Sequence, residues 1–113
     1  MTLREAWCKE TAHSSYQKDW SEDNPSYGQC VVTALIMQEI LGGDIYECTV
    51  NRKKHFYNVT PDGRTYDFTQ EQFGGAFVVY NNIKKRTRKS LLRVANVKER
   101  YELLKSRMFC SEM

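Results

Sequence analysis

Residues 24–43, NPSYGQCVVTALIMQEILGG, decide the fold. A polar turn containing Asn24, Pro25 and Gly28 gives way at Cys30 to an almost uninterrupted apolar run, and Gly42-Gly43 stops it, because glycine enters the left-handed region without strain. The pattern predicts a helix over Gln29–Leu41. A helix apolar on nearly every side is buried on nearly every side, so the rest of the chain should pack around it. Cys30 then stands at its mouth.

On the C-terminal side, DIYECTV (44–50), KHFYNVT (54–60) and RTYDFT (64–69) are rich in β-branched and aromatic residues, and TPDG separates the second from the third as a tight turn. They predict three antiparallel strands. DFTQEQFGG predicts a short helix from Thr69, with Gln72 three residues on. Beyond it AFVVYNN (76–82) fits a strand or a piece of helix, and KKRTRKS (84–90) reads as a basic loop. NVKERYELLKSRMF (96–109) closes the chain as a helix capped by Asn96, with Val97, Tyr101, Leu104 and Met108 on one face. On the N-terminal side, residues 2–13 predict an amphipathic helix with Leu3, Trp7 and Cys8 together, Thr2 as N-cap and Glu5 as its capping-box partner. SSYQKDWSEDNPSYG follows as a loop pinned by Trp20. The expected architecture is α+β, one domain over residues 1–113. A small antiparallel sheet packs against the central helix, with N- and C-terminal helices flanking it.

Composition narrows the function classes. With 113 residues, 41% hydrophobic, 27% charged and a net charge of +3, the chain has the balance of a water-soluble domain. No apolar run approaches the roughly 18 residues of a membrane span, and MTLREAWCKE has no apolar signal core, so no membrane partner and a cytoplasmic location are expected. The basic residues from Lys84 to Lys89 lack interleaved aromatics, so a solvated loop is expected and nucleic acid is not an expected partner. Cys8, Cys30, Cys48 and Cys110 are far apart with no CxxC spacing, so free thiols are expected. A zinc set of Cys30, Cys48, His55 and Cys110 lacks paired ligands at short spacing; no metal or cofactor is expected.

Chemistry concentrates in Cys30, His55 and Asp67. A thiol reacts as thiolate, which the unpaired N–H groups and dipole of a helix N-terminus favour. An imidazole can share the proton, and a carboxylate can fix the imidazole's tautomer and stabilise its cation. Whether His55 meets Asp67 depends on the turn. If Pro61-Asp62-Gly63 form the loop with Gly63 left-handed, Thr60 pairs with Arg64 and Tyr57 with Asp67. His55 is then Asp67's diagonal neighbour on one face at roughly 7 Å between Cβ atoms. A two-residue loop, Pro61-Asp62, would turn Asp67 to the opposite face. Singly, each residue has a plain role: Cys30 as a core residue, His55 as a strand residue, Asp67 as a turn former. His13 caps the first helix or faces solvent, and Trp20, Tyr27, Tyr57 and Phe73 fit either a cleft or the core.

NPSYGQCVVTALIMQEILGG, HFYN and PDGRTYDFTQEQF together resemble the YunG-like family of small bacterial proteins, from Trp20 onward. More distantly, cysteine, histidine and aspartate in this order on helix, strand and strand resemble the core of papain-like and transglutaminase-like cysteine enzymes. That second resemblance implies a papain-like/transglutaminase-like core with Cys30 as nucleophile, His55 as general base and acid, and Asp67 as orienting group. The reaction implied is hydrolysis or acyl transfer on an amide or thioester, with a peptide or small amide as substrate. It also implies an oxyanion site from the Cys30 N–H and an amide side chain six residues earlier, where Asn24 stands in place of the family's glutamine; adjacent Gln29 competes for that role. The competing expectation is a non-enzymatic module that keeps such a fold and binds protein or nucleic acid through its surface.

Overall fold

The computed structural model describes residues 1–75 and 77–109. The central helix forms as α2, Cys30–Leu41, and Val31 to Ile36 are buried without a break. Gly42 and Gly43 end it with positive φ. Three strands follow as expected: β1 (Asp44–Val50), β2 (Lys53–Val59) and β3 (Thr65–Tyr66). A fourth, β4 (Asn81–Arg86), pairs with the other side of β1, so the antiparallel sheet runs β3-β2-β1-β4. Of the basic stretch expected as a loop, residues 88–90 begin a short helix and residues 84–86 end this edge strand. Its lysines suit that place, because charged side chains protect an open edge from further pairing. Ala76, and with it the start of AFVVYNN, lies outside the described residues.

The strand period of two gives the sheet different faces. Ile45 and Phe56 meet α2 and the C-terminal helix α4 (Val97–Met108) in a core that includes Val32, Leu35, Ile36, Leu91, Val97 and Leu104. Asn58, buried on this side, donates from Nδ2 to the Ala34 carbonyl at 3.0 Å and locks β2 to the middle of α2. On the opposite face Cys48, Val50 and Tyr57 pack with Tyr46, Phe73, Val78 and Tyr80. The chain is thus α+β, with helices on one face of a four-stranded antiparallel sheet.

Two helix ends depart from expectation. Thr2 and Glu5 make the predicted capping box, but α1 covers only Leu3–Ala6, and Lys9–Thr11 and Ser14–Asp19 are separate 3₁₀ turns. Trp7 breaks the helix by turning to extended ψ, which buries its ring and lets Nε1 donate to Thr33 Oγ1 at 2.9 Å. That burial outweighs the few intrahelical bonds a longer surface helix would have made. His13 is the N-cap of the second 3₁₀ turn, accepting at Nδ1 from Ser15 N at 3.1 Å. At the other end of the chain, Asn96 is left-handed (φ 68°) and makes no side-chain cap to α4. The short helix α3, Arg88–Leu92, is instead capped by Thr87, whose side chain accepts from Ser90 N.

Candidate functional site

The hairpin takes the three-residue loop. Gly63 has φ 85°, Gly63 N donates to the Thr60 carbonyl, and Thr60 N to the Arg64 carbonyl, both at 2.9 Å. Val59 then pairs with Thr65 and Asn58 with Tyr66, which leaves Asp67 just past β3 on the His55 face. Asp67 ends the strand itself: Oδ1 accepts from Thr69 N at 3.2 Å, an Asx turn that leads into the 3₁₀ turn Gln70–Phe73. Thr69 occupies its N-cap position but makes no side-chain cap.

His55 Nε2 and Asp67 Oδ2 are 2.7 Å apart, and the two side chains are 2% and 6% exposed, so little water competes for the contact. Tyr80 donates its hydroxyl to the same Oδ2 at 2.7 Å and accepts from Gln70 Nε2 at 3.0 Å. The carboxylate is thereby held from His55, Tyr80 and Thr69, and cannot rotate away from the imidazole without losing several bonds. Phe73 stands edge-on to the His55 ring at 5.1 Å, and Tyr80 stacks on it at 6.1 Å.

Burial alone would push the His55 pKa down. The hydrogen bond to Asp67, followed by the interaction with the Cys30 side chain, overcomes that and raises it to about 9. At neutral pH the ring is therefore an imidazolium. With Nε2 engaged by Asp67, Nδ1 is the nitrogen left for Cys30. An imidazolium beside a cysteine favours the nucleophilic thiolate.

Cys30 is half-buried at the first position of α2, and the preceding loop is stapled in place. Trp20 Nε1 donates to the Pro25 carbonyl, Asn24 Nδ2 to the Gln72 carbonyl and Gly28 N to Gln72 Oε1, at 2.9, 3.1 and 3.2 Å. Cys30 and His55 line one cavity of about 160 Å³ with Tyr16, Tyr27, Gln72 and Phe73. Gln29, at the N-cap, makes no side-chain bond to the first turn. The leading N–H groups of α2 thus keep their donor capacity for an anion at the thiol. Gln29 is fully buried and its Nε2 donates to the Cys8 carbonyl at 2.9 Å. Asn24 and Gln29 thus each direct one of their two amide N–H groups to a backbone carbonyl away from Cys30. Of the expected aromatics, Tyr27 and Phe73 line the cavity; Trp20 and Tyr57 do not.

Cys48 is the direct cross-strand partner of His55. Burial, then the charge of Asp67, raises its thiol to about 12, which makes it inert at neutral pH. Cys110 lies outside the described residues. Among the described residues no group of three or more His, Cys, Asp or Glu side chains is placed to hold a metal ion. No helix among them is long and apolar enough to cross a membrane.

Two residues of this neighbourhood escape a sequence reading. Tyr80 sits in a connection with no regular period, so nothing local marks it. Arg100 carried a signal: with Val97, Tyr101 and Leu104 it completes the i, i+3, i+4, i+7 stripe of α4, where a charge is out of place. It is indeed buried, at 5% exposed.

Residues 1–111 match the family described as YunG protein. A relative from Bacillus subtilis (strain 168), described as "Uncharacterized protein YunG", is 46% identical over 71 residues, which is 63% of this chain and 56% of the relative. The chain's match thus spans a little over half the length of that relative. No solved structure matches.

Proposed function

We propose that this chain, which belongs to the YunG protein family, is a cysteine-dependent hydrolase or acyltransferase with chemistry of the papain-like and transglutaminase-like kind. The observation that carries the proposal is the buried His55–Asp67 contact at 2.7 Å, made by a histidine that shares a cavity with the cysteine heading α2. A charged imidazole held in place by a carboxylate beside a thiol is costly to maintain, and its plain use is to activate that thiol.

In the proposed reaction the Cys30 thiolate attacks the acyl carbon of an amide or thioester. A C–S bond forms, and the carbonyl π pair moves to oxygen, where the N–H groups at the start of α2 meet the charge. The His55 imidazolium gives its proton to the departing amine or thiol as the carbonyl re-forms. Water, or an acceptor amine or hydroxyl, then attacks the thioester and gives its proton to neutral His55, and Cys30 leaves as thiolate. Asp67 stabilises the imidazolium at the beginning and end of the cycle and holds its Nε2, so that Nδ1 faces the chemistry.

Iodoacetamide labelling at pH 6, read site by site by mass spectrometry, tests the proposal. Cys30 is expected to label rapidly, and His55→Ala to slow it about tenfold or more, because the variant keeps the helix terminus but loses the cation. Cys48 should stay unlabelled in the folded protein. A Cys30 rate that rises with a midpoint near the ordinary cysteine value of about 8.5, unchanged in His55→Ala, would sink the enzyme reading.

A second reading, a non-enzymatic interaction module, draws support from β4. This edge strand exposes Lys84 and Lys85 at 63% and 58% and offers unpaired backbone for an added strand. An unreactive Cys30 would leave it as the better account.

A further inference from the structure

Cys30 also borders a second cavity, of about 290 Å³, on the side of α4. Arg100, His13, Tyr16, Lys53 and Lys54 help to line it, and among the described residues no aspartate or glutamate does. Its most unusual member is Arg100. The side chain sits on the apolar stripe of α4, 5% exposed, with Nη1 donating to the Thr11 carbonyl at 3.2 Å. Its Nε is buried and has no hydrogen-bond partner among the described residues. Among the described residues no carboxylate pairs with it, whereas Arg86 has Glu47 and Arg88 has Glu39. A buried guanidinium without an anion bears a desolvation cost that the one hydrogen bond to the Thr11 carbonyl offsets only in part.

The charge is also close to the reactive end of α2. Arg100 and Cys30 line the same cavity, and the Arg100 charge adds to burial in lowering the His13 pKa. An anion entering the cavity would therefore meet a fixed cation beside the thiol, with the mobile ammonium of Lys53 held 4.8 Å over the Tyr16 ring at the same wall.

We propose that this cavity is the binding site for a substrate carboxylate, received by the Arg100 guanidinium while the neighbouring acyl carbon is presented to Cys30. A guanidinium matches a carboxylate in plane and spacing, and the burial of Arg100 on an acid-free wall makes the pairing worth more than at a surface. The substrate class is then an acyl compound bearing a free carboxylate near the scissile bond, such as an N-acyl amino acid or the C-terminal end of a peptide. This deepens the proposed thiol chemistry and rests on it for the ligand's being a substrate; anion binding itself does not require an active thiol.

Two alkylating probes that differ in one charge test it. Iodoacetate and iodoacetamide both form an S–CH₂ bond with loss of iodide, but only iodoacetate carries a carboxylate. At pH 7 the iodoacetate-to-iodoacetamide rate ratio at Cys30 is expected to exceed that at Cys8 in the same protein by about tenfold or more, the local enrichment a fixed charge gives an anion. In Arg100→Met, the ratio should fall to the Cys8 value. A Cys30 ratio equal to that of Cys8, or one unchanged in folded Arg100→Met, overturns the site.

Should that variant fail to fold, the wild-type protein decides. N-acetylglycine should protect Cys30 from iodoacetamide, and neutral N-acetylglycinamide should not. Equal protection by the two, or protection by inorganic phosphate alone, overturns the carboxylate assignment. The two proposals fail separately. An Arg100-dependent ratio with a His55-independent iodoacetamide rate keeps the anion site and removes the activated thiol. The reverse pattern keeps the thiol and removes the site.

Discussion

Asp67→Asn is expected to move the His55 titration from about 9 to below the ordinary histidine value of 6.5. The largest influence on the ring is burial, which disfavours the cation, and in the native protein it is overcome first by the hydrogen bond to the Asp67 carboxylate and next by the interaction with Cys30. Asparagine keeps the shape and can still accept from Tyr80, so the fold is retained while the charge is lost. The stability of the protein should change its pH dependence accordingly. Native His55 binds its proton more tightly than the unfolded chain does, so its stabilisation is fully present below pH 6.5 and is lost as pH rises toward about 9. The shift corresponds to on the order of 3 kcal/mol. In Asp67→Asn this loss should vanish, and protonation below pH 6.5 should instead oppose folding. NMR titration of the His55 ring gives the pKa, and urea unfolding at pH 6 and pH 9 gives the stability. A ring that still titrates near 9 in the variant would show that Asp67 is not the source of the shift. Cys30 alkylation at pH 7 should slow along with the loss of the imidazolium.

Gly43→Ala should be the most damaging small substitution at the end of α2. Gly43 has φ 80°, and a Cβ there would lie 2.1 Å from the Val59 carbonyl oxygen and 2.9 Å from Thr60 Cα. Both are backbone atoms of the end of β2, so relief requires moving the strand that leads into the TPDG turn. A loss on the order of 3 to 5 kcal/mol is expected, beyond the strain of the left-handed conformation alone. Gly63→Ala is the control: its φ is 85° but nothing lies within 4 Å of the added Cβ, so only the conformational cost of about 1 kcal/mol should appear. Urea unfolding of the two variants would separate the effects. Similar losses in both would mean that the Gly43 contact relaxes cheaply. Because the same backbone sets the hairpin register, folded Gly43→Ala protein should also show a lowered His55 pKa.

The legible parts of this chain were those governed by nearby residues. The apolar run from Val31 to Ile36 requires burial wherever it is placed, and two glycines stop it. In the hairpin, Gly63 takes the left-handed conformation, and that single backbone angle sets the register through to Tyr66. His55 and Asp67 are twelve residues apart along one hairpin, so their contact hangs on the loop length, which the sequence left between two and three residues and the structure fixes at three. The Thr2–Glu5 capping box was legible for the same reason.

What the tertiary structure decided involves partners far apart in the chain. Trp7 leaves its helix for Thr33, Gln29 turns its amide to Cys8, and Asn24 gives its own to Gln72, each a choice among competitors that local pattern does not rank. Lys84 to Arg86 became a strand because β1 had an open edge, a fact of the sheet rather than of the segment. Sequence alone thus determined the central helix and the hairpin and reduced the carboxylate's place beside His55 to a choice between two loop lengths, because turn geometry and side-chain period act over a few residues. Tertiary structure decided that Cys30 opens onto an acid-free wall with Arg100 in it, because burial of a charge depends on elements that meet only when the chain has folded.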